Sequence, residues 1–342
     1  MGRFRLRSRG VAATAERRIG EDAAEPELLA EIARLSAVNR TQPDARRERD
    51  LVRLRHQAGR RRRERADGGG FAAADATALP AVPAGSLPEL CRDELSPGLL
   101  RAGILRDGCV LVRGLVERDV ALELARLIDD AFAARAAQAA GRRATPGLYD
   151  ELDTVANLAA MRPWIEQGGG VLAADAPRAT FALFELLGAA GLPQLVEGYL
   201  GEPALLSVEK TTLRKATPDV GGAWHQDGAF MGDVRALNLW LSLSRCGDVA
   251  PGLELVPRRV DQVVIEHEAM LDVELTRRRA RDAAGDRGFL RPVFEPGDAL
   301  FFDELFLHQT ASDPAMPHPR FAVESWFFGG SGFPEAYAPL AV

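Results

Sequence analysis

From about residue 205 onward the chain is a series of short apolar segments separated by turn residues, at 205–213, 237–243, 253–256, 299–302 and 321–328. Segments of that length are too short for helices that could bury a face. Strands at this spacing point to a sandwich or a barrel. The expected fold class is therefore α+β, a β-sandwich or barrel flanked by helices. A charged stretch at 266–284 reads as a helical insertion between strands.

The first two hundred residues have a different character. Leu28, Leu29, Ile32 and Leu35 share one helical face, and Leu51, Val52 and Leu54 suggest another, with Pro43 between. A helical pair over 26–40 and 44–65 follows. The Gly run at 68–70 and the Ala- and Pro-rich stretch to residue 86 read as a linker. Residues 1–87 are thus expected to form a basic, partly helical extension, and 88–342 the barrel domain. Residues 108–115 read as a strand closed by Gly114, 117–140 as a helix ending at Gly141, and 180–199 as helix broken near Gly191 and Pro193.

Charge follows the same division. The net charge of -6 hides a segment 1–70 with 18 Arg against 11 acids, and a body that is strongly acidic. The basic segment fits either a solvated appendage packed on the body or a docking arm for an acidic partner, a membrane surface or nucleic acid. Only Phe4 precedes Phe71, so the arm lacks the aromatic groups of a stacking nucleic-acid surface, and no nucleic-acid partner is expected. Three widely spaced cysteines suit a reducing compartment. With no apolar run of membrane-spanning length and no signal-peptide core, a cytoplasmic protein without a transmembrane segment is expected. Cys109 and Cys246 read as small buried groups.

Among five histidines, His225 stands two residues before Asp227, after Gly221-Gly222-Ala223-Trp224. In an extended segment both side chains project to one side and can point at one ion. His308 follows the turn Glu295-Pro296-Gly297-Asp298 and the strand 299–302, and is the third candidate ligand. Two imidazoles and one carboxylate, leaving three positions open, suit non-haem Fe(II) and oxygen chemistry. The two further electrons such chemistry needs can come from 2-oxoglutarate, whose distal carboxylate requires a fixed cation. Arg320, 12 residues after His308, offers a planar fork for it, and Thr310 shares the side of His308. His267, between two glutamates, reads as part of a solvated face, and His318, between two prolines, as a turn residue.

These residues resemble the phytanoyl-CoA dioxygenase family of Fe(II)/2-oxoglutarate oxygenases. The match runs from Asp107–Leu115 through Trp224-His225-Gln226-Asp227-Gly228, Trp240 in its Leu-rich strand, Gly252 to Pro257, the Pro-Gly-Asp turn, His308 and Arg320, about two-thirds of the chain. The resemblance implies a double-stranded β-helix with iron at its open mouth. It implies His225, Asp227 and His308 as iron ligands, Arg320 and Thr310 at the 2-oxoglutarate carboxylate, Trp240 beside the cosubstrate, and Thr211 at a further cosubstrate-facing position. The implied activity is O2-dependent hydroxylation, or a related oxidation, of an unactivated C–H bond, with release of succinate and CO2. Asp227 favours that outcome over halogenation, for which relatives lack the carboxylate. Two features depart from the pattern. Val256-Pro257-Arg258-Arg259 replaces the family's Gly-Ser-His turn, and residues 1–87 have no counterpart. The substrate stays open among an acyl-CoA, an amino acid derivative and a secondary metabolite, with Gln226, Phe230, Met231, Arg235, Arg214 and Lys215 as candidates for lining the mouth. The competing reading is a catalytically silent jelly-roll protein that binds a partner through its basic arm.

Overall fold

A computed structural model describes residues 20, 22–83, 85–155, 157–232 and 234–342. The basic start at residues 1–19 lies outside them. The helices in chain order are α1 (Glu25–Thr41), α2 (Ala45–Glu64), α3 (Pro97–Asp107), α4 (Arg118–Ala139), α5 (Leu158–Gln167), α6 (Pro177–Ala189), α7 (Leu192–Leu200), the single turn α8 (Gly228–Met231) and α9 (Val273–Ala284). The strands are β1 (Glu89–Cys91), β2 (Cys109–Arg113), β3 (Gly170–Leu172), β4 (Ala204–Ala216), β5 (Ala236–Ser242), β6 (Gly252–Leu255), β7 (Ala299–Phe302), β8 (His308–Ala311), β9 (Arg320–Gly329) and β10 (Pro339–Ala341).

Eight strands form the major sheet, in the order β1-β2-β7-β5-β9-β4-β10, with β3 also paired to β4. All pairings are antiparallel except β1 with β2. A second sheet pairs β6 with β8, and single bridges extend it on both sides, His225 to His308 and Leu255 to Leu290. The two sheets enclose a core and make the jelly-roll barrel.

Alternation along the strands explains why the barrel has two cores. On β5, Leu237, Leu239 and Leu241 face the helices, whereas Ala236 and Trp240 face the barrel interior. On β9, Val323 and Phe327 go outward while Ala322, Trp326 and Phe328 go inward. Period-two alternation with both faces apolar is what a sheet covered by helices on one side and a second sheet on the other requires. The outer layer is closed by α4, α6 and α7, through Ile128, Leu183, Leu187, Val196 and Tyr199. Gly297 makes the turn before β7 possible. Its φ is +99°, and a Cβ there would lie 2.1 Å from the carbonyl oxygen of Val116.

Strand β4 breaks the alternation. Leu206 is opposite Phe327, but Thr211 is opposite Ser325, so three extra residues are accommodated between them. The bulge reverses which residues face inward. Before it Leu206 and after it Leu213 both pack toward the helices, and Lys210, Thr212 and Arg214 turn into the barrel.

The expected helical pair is present as α1 and α2. Asp44 caps α2, accepting a hydrogen bond from the Arg47 amide at 2.9 Å. The pair lies against the body. Leu28, Ile32, Leu35, Leu51 and Ala58 bury a common patch that includes Ala341 of β10. The Arg55 guanidinium donates to the Ala341 carbonyl at 3.0 Å, and Arg62 donates to the Ala204 carbonyl at 3.0 Å while pairing with Glu25 at 2.7 Å. Helix α2 thereby covers the sheet edge at β10, where an exposed strand would invite association. The insertion between β6 and β7 is a short 3-10 turn, His267–Leu271, followed by α9.

Candidate metal centre

His225 and His308 are direct cross-strand neighbours. Each backbone amide donates to the other's carbonyl, at 3.0 and 3.1 Å. That pairing holds the rings on one side, with centroids 4.4 Å apart. Each ring is then fixed by its own chain. The Nδ1–H of His225 donates to the Ala223 carbonyl at 2.9 Å, and the Nδ1–H of His308 to the Phe306 carbonyl at 3.0 Å. A carbonyl can only accept, so Nδ1 carries the proton in both rings and both Nε2 lone pairs are free. Burial pushes the His308 imidazole down to about 4, so it is neutral at neutral pH. Ring contacts with Phe302 and Phe306 supply that burial.

Asp227 completes the group. One ligand atom from each of His225, Asp227 and His308 lies within 4.8 Å of the other two. The carboxylate is buried; Oδ1 is 3.7 Å from the Lys210 ammonium, and Oδ2 has no hydrogen-bond partner among the described residues. A buried carboxylate oxygen without a partner, beside two imidazole lone pairs, is the donor set of a divalent ion. Fe(II) fits these residues.

Between the two ligands of the His-x-Asp motif, Gln226 points the other way and is fully buried. Its amide donates to the carbonyls of Leu305 (2.7 Å) and Gln262 (3.0 Å), and its oxygen accepts from the Val264 amide at 2.7 Å. It therefore ties the β6–β7 insertion and the segment before His308 to the motif, and does not line the mouth. Trp224 is buried against Phe289, with ring centroids 4.3 Å apart.

Deeper in the barrel Arg320 is 3% exposed. Among the described residues it has no carboxylate partner. Nη1 donates to the Gly252 carbonyl at 3.3 Å, Nε is unpaired, and the guanidinium lies 5.5 Å from the Trp240 ring centroid. Burial lowers it to about 10, which still leaves it charged at neutral pH. Gly252 can offer its carbonyl only because it has no side chain; a Cβ would stand 2.6 Å from Gly247 Cα. Thr310 is on the same side of β8 as His308, opposite Leu253, the neighbour of Gly252. Trp240 is buried, packed on Phe294 at 4.7 Å between centroids. The structure thus brings His225, Asp227 and His308 to one point, sets Arg320 beside Trp240, and places Thr310 on the side of β8 that carries His308.

Thr211 is not brought to them. It falls after the β4 bulge, in register with Ser325, and its hydroxyl donates to the Ser207 carbonyl at 2.6 Å. The inward position belongs to its neighbour Thr212, whose hydroxyl meets Glu324 at 3.3 Å. Of the other mouth candidates, Phe230 is exposed at the opening and Arg214 is inside, paired with Glu324 at 2.9 Å. Met231 packs against the barrel core. Lys215 pairs with Asp129, and Arg235 with Glu202 and Ser331, both away from the centre. His267 is exposed, but its ring stands edge-on to Phe230 at 5.1 Å, at the rim.

Four interior polar residues escaped the sequence reading. Asn238, facing inward between Phe302 and Trp326, has neither amide atom hydrogen-bonded. Burial would raise the Glu324 carboxyl, but Arg214, with help from Lys210, outweighs it and holds the group well below the usual carboxylate range. Lys210 and Thr212 reach the interior through the bulge. Only the polarity of Asn238 within an otherwise Leu- and Trp-rich strand carried a signal.

No family model matches the sequence, and no curated protein matches it. Among solved structures, the chain is similar to EctD from S. alaskensis with 2-oxoglutarate and 5-hydroxyectoine, at 18% identity over 80% of this chain and 87% of that one, with a TM-score of 0.48. It is also similar to the non-haem alpha-ketoglutarate-dependent epimerase SnoN from nogalamycin biosynthesis, at 16% identity, 68% and 82% coverage and a TM-score of 0.39. A third is AviO1 from Streptomyces viridochromogenes Tue57, at 17% identity, 68% and 94% coverage and a TM-score of 0.43.

Proposed function

We propose that the chain is an Fe(II)/2-oxoglutarate-dependent dioxygenase of the phytanoyl-CoA dioxygenase type, which hydroxylates or otherwise oxidises an unactivated C–H bond of a small molecule. The observation that carries this reading is a pairing of two needs in one barrel: three metal donors with free lone pairs, and a buried guanidinium with no anion. Iron and 2-oxoglutarate together supply the oxidising chemistry, which consumes O2 and releases succinate and CO2. Each protein group has a narrower task. His225 and His308 present Nε2, because the carbonyls of Ala223 and Phe306 hold Nδ1. Asp227 offers the unpaired Oδ2. Arg320, steadied by Gly252 and Trp240, is the partner for the far carboxylate of the keto acid, with Thr310 beside it. Asn238 has two free amide atoms to orient the keto-acid end. The apolar walls formed by Phe302, Phe306 and Trp326 exclude water from the reacting groups.

The test is an anaerobic titration of the purified chain with Fe(II) and 2-oxoglutarate, followed by the weak visible charge-transfer band of the chelate. The band is expected in the parent protein. It should vanish in His308→Ala and weaken at least tenfold in apparent 2-oxoglutarate affinity in Arg320→Ala. A parent protein that binds Fe(II) but never develops the band removes the assignment.

A further inference from the structure

We infer that the substrate carries an anionic group, a carboxylate or a phosphate, and that Lys210 is the residue that receives it beside the metal. The inference rests on the oxygenase reading and adds the substrate's charge class to it.

Among the described residues, three cations and two carboxylates converge on the barrel interior: Lys210, Arg214 and Arg320 against Asp227 and Glu324. Among these five groups one positive charge is in excess. A divalent ion and a dianionic keto acid cancel each other, so loading the centre leaves that excess in place. Its location follows from the partners. Arg214 is committed to Glu324 at 2.9 Å. Arg320, buried beside Gly252 and Trp240, is the cation assigned above to the far carboxylate of the cosubstrate. Lys210 has no closer carboxylate than Asp227 Oδ1 at 3.7 Å, with Glu324 and Glu209 acting on it at longer range, and a metal ion on Asp227 would withdraw electron density from that contact. Glu209, its neighbour in sequence, attracts Lys210 at longer range, but its oxygens are taken by the Ala338 amide at 2.9 Å and the Ser207 hydroxyl at 3.0 Å, and burial pushes its carboxyl up.

The ammonium lies on the open side of the centre. It sits 5.2 Å from the ring centroid of Phe230, which is exposed at the mouth and touches the His225 ring at 6.5 Å. The Lys210 side chain itself is only 19% exposed. A largely desolvated cation without a full counter-charge is unfavourable, and an incoming anion relieves it. The β4 bulge is what aims Lys210 there. An anion on its Nζ places the adjoining carbons of the substrate alongside the metal, against Phe230.

The test uses protein loaded with Mn(II), which occupies the centre without turnover, and saturating 2-oxoglutarate. The probes are hexanoate, hexyl phosphate, hexanamide and hexylamine, and the readout is paramagnetic broadening of their proton signals. Mn(II) and 2-oxoglutarate affinities are measured on the same samples by calorimetry. The two anions should broaden strongly, and the amide and the amine at least tenfold less. Lys210→Met should weaken anion binding at least tenfold with the 2-oxoglutarate affinity kept within a few-fold, and Lys210→Arg should restore it. Hexanoate alone broadening would assign a carboxylate, hexyl phosphate alone a phosphate; both support the inference. Broadening that ignores probe charge, binding of none of the four, or anion binding unchanged in Lys210→Met overturns the assignment of Lys210 while leaving the oxygenase reading standing. Failure of the parent protein to take up Mn(II) and 2-oxoglutarate overturns both.

Discussion

A buried polar atom with no partner is unfavourable in the free protein and useful only when a ligand arrives, and Asn238 shows this. Asn238 has both amide atoms unpaired inside the barrel. Replacing it with Leu, which has the same number and branching of side-chain heavy atoms, removes an unsatisfied group, so Asn238→Leu should raise the stability of the metal-free protein by about 1 kcal/mol. The same change should weaken 2-oxoglutarate binding about tenfold. Thermal unfolding and a 2-oxoglutarate titration on one preparation decide it; a variant that is less stable, or equally tight for the cosubstrate, counts against a ligand role. Gly252 makes the converse case. Its backbone passes so close to Gly247 that a methyl group cannot be admitted without movement. Gly252→Ala should cost about 1–3 kcal/mol by overpacking, and it should shift the carbonyl that holds Arg320, so cosubstrate affinity falls with it. Unchanged affinity in a folded Gly252→Ala would separate the carbonyl from the cation's placement. At this scale the sequence was legible where chemistry is scarce. Five histidines and a His-x-Asp spacing single out the metal ligands, and Asn238 stands out only as a polar residue in an apolar strand, whereas Glu324 and Lys210 look like ordinary members of theirs.

At the scale of elements, the boundaries that could be read are those with local causes. The helix 117–140 ends where Gly141 permits it, and the pair at 26–40 and 44–65 is divided by Pro43; both lie within a residue or two of Arg118–Ala139, Glu25–Thr41 and Ala45–Glu64. What could not be read has non-local causes. The β4 bulge lies in a run, Ser207-Val208-Glu209-Lys210-Thr211, with no Gly or Pro to mark it, and it decides that Thr212 rather than Thr211 faces inward. The bridge from His225 to His308 joins residues far apart in the chain, and neither lies in a segment whose composition announces a pair. Gln226 belongs with these. Its three buried hydrogen bonds connect the His-x-Asp segment with the insertion and with Leu305. Gln226→Ala leaves two carbonyls and one amide without partners, at about 2–4 kcal/mol. We expect limited proteolysis to cut within 260–288 far faster in the variant, and Mn(II) affinity to drop several-fold because His308 loses its support. Protease resistance equal to that of the parent would show that the insertion is held by other contacts.

Over the whole molecule, the two ends of the described chain meet. Helix α2 packs on β10, so the stability of the barrel edge depends on residues at the opposite end of the sequence, and His56 reports on the contact. Its Nδ1–H donates to the Pro339 carbonyl at 2.9 Å, and burial lowers its proton affinity below the ordinary value, with Arg60 adding to the effect. The sign follows from linkage. In the unfolded chain His56 takes up a proton as the pH falls through about 6.5; in the folded chain it resists. The unfolded state therefore binds more protons in that window, and stability drops on acidification from about 6.5 down to the lowered folded value, with a slope of at most about 1.4 kcal/mol per pH unit from this one group. His308, also lowered by burial, contributes with the same sign, so the total dependence cannot be assigned to His56 from the parent protein alone. The difference between the parent and His56→Gln isolates it, because Gln can still donate to the Pro339 carbonyl but cannot titrate. Urea unfolding between pH 7.5 and pH 5 should show the parent losing more stability than the variant over that range, with the two curves parallel above pH 7. Curves parallel throughout would mean that His56 titrates alike in both states, and that the α2–β10 contact is open to water at this point.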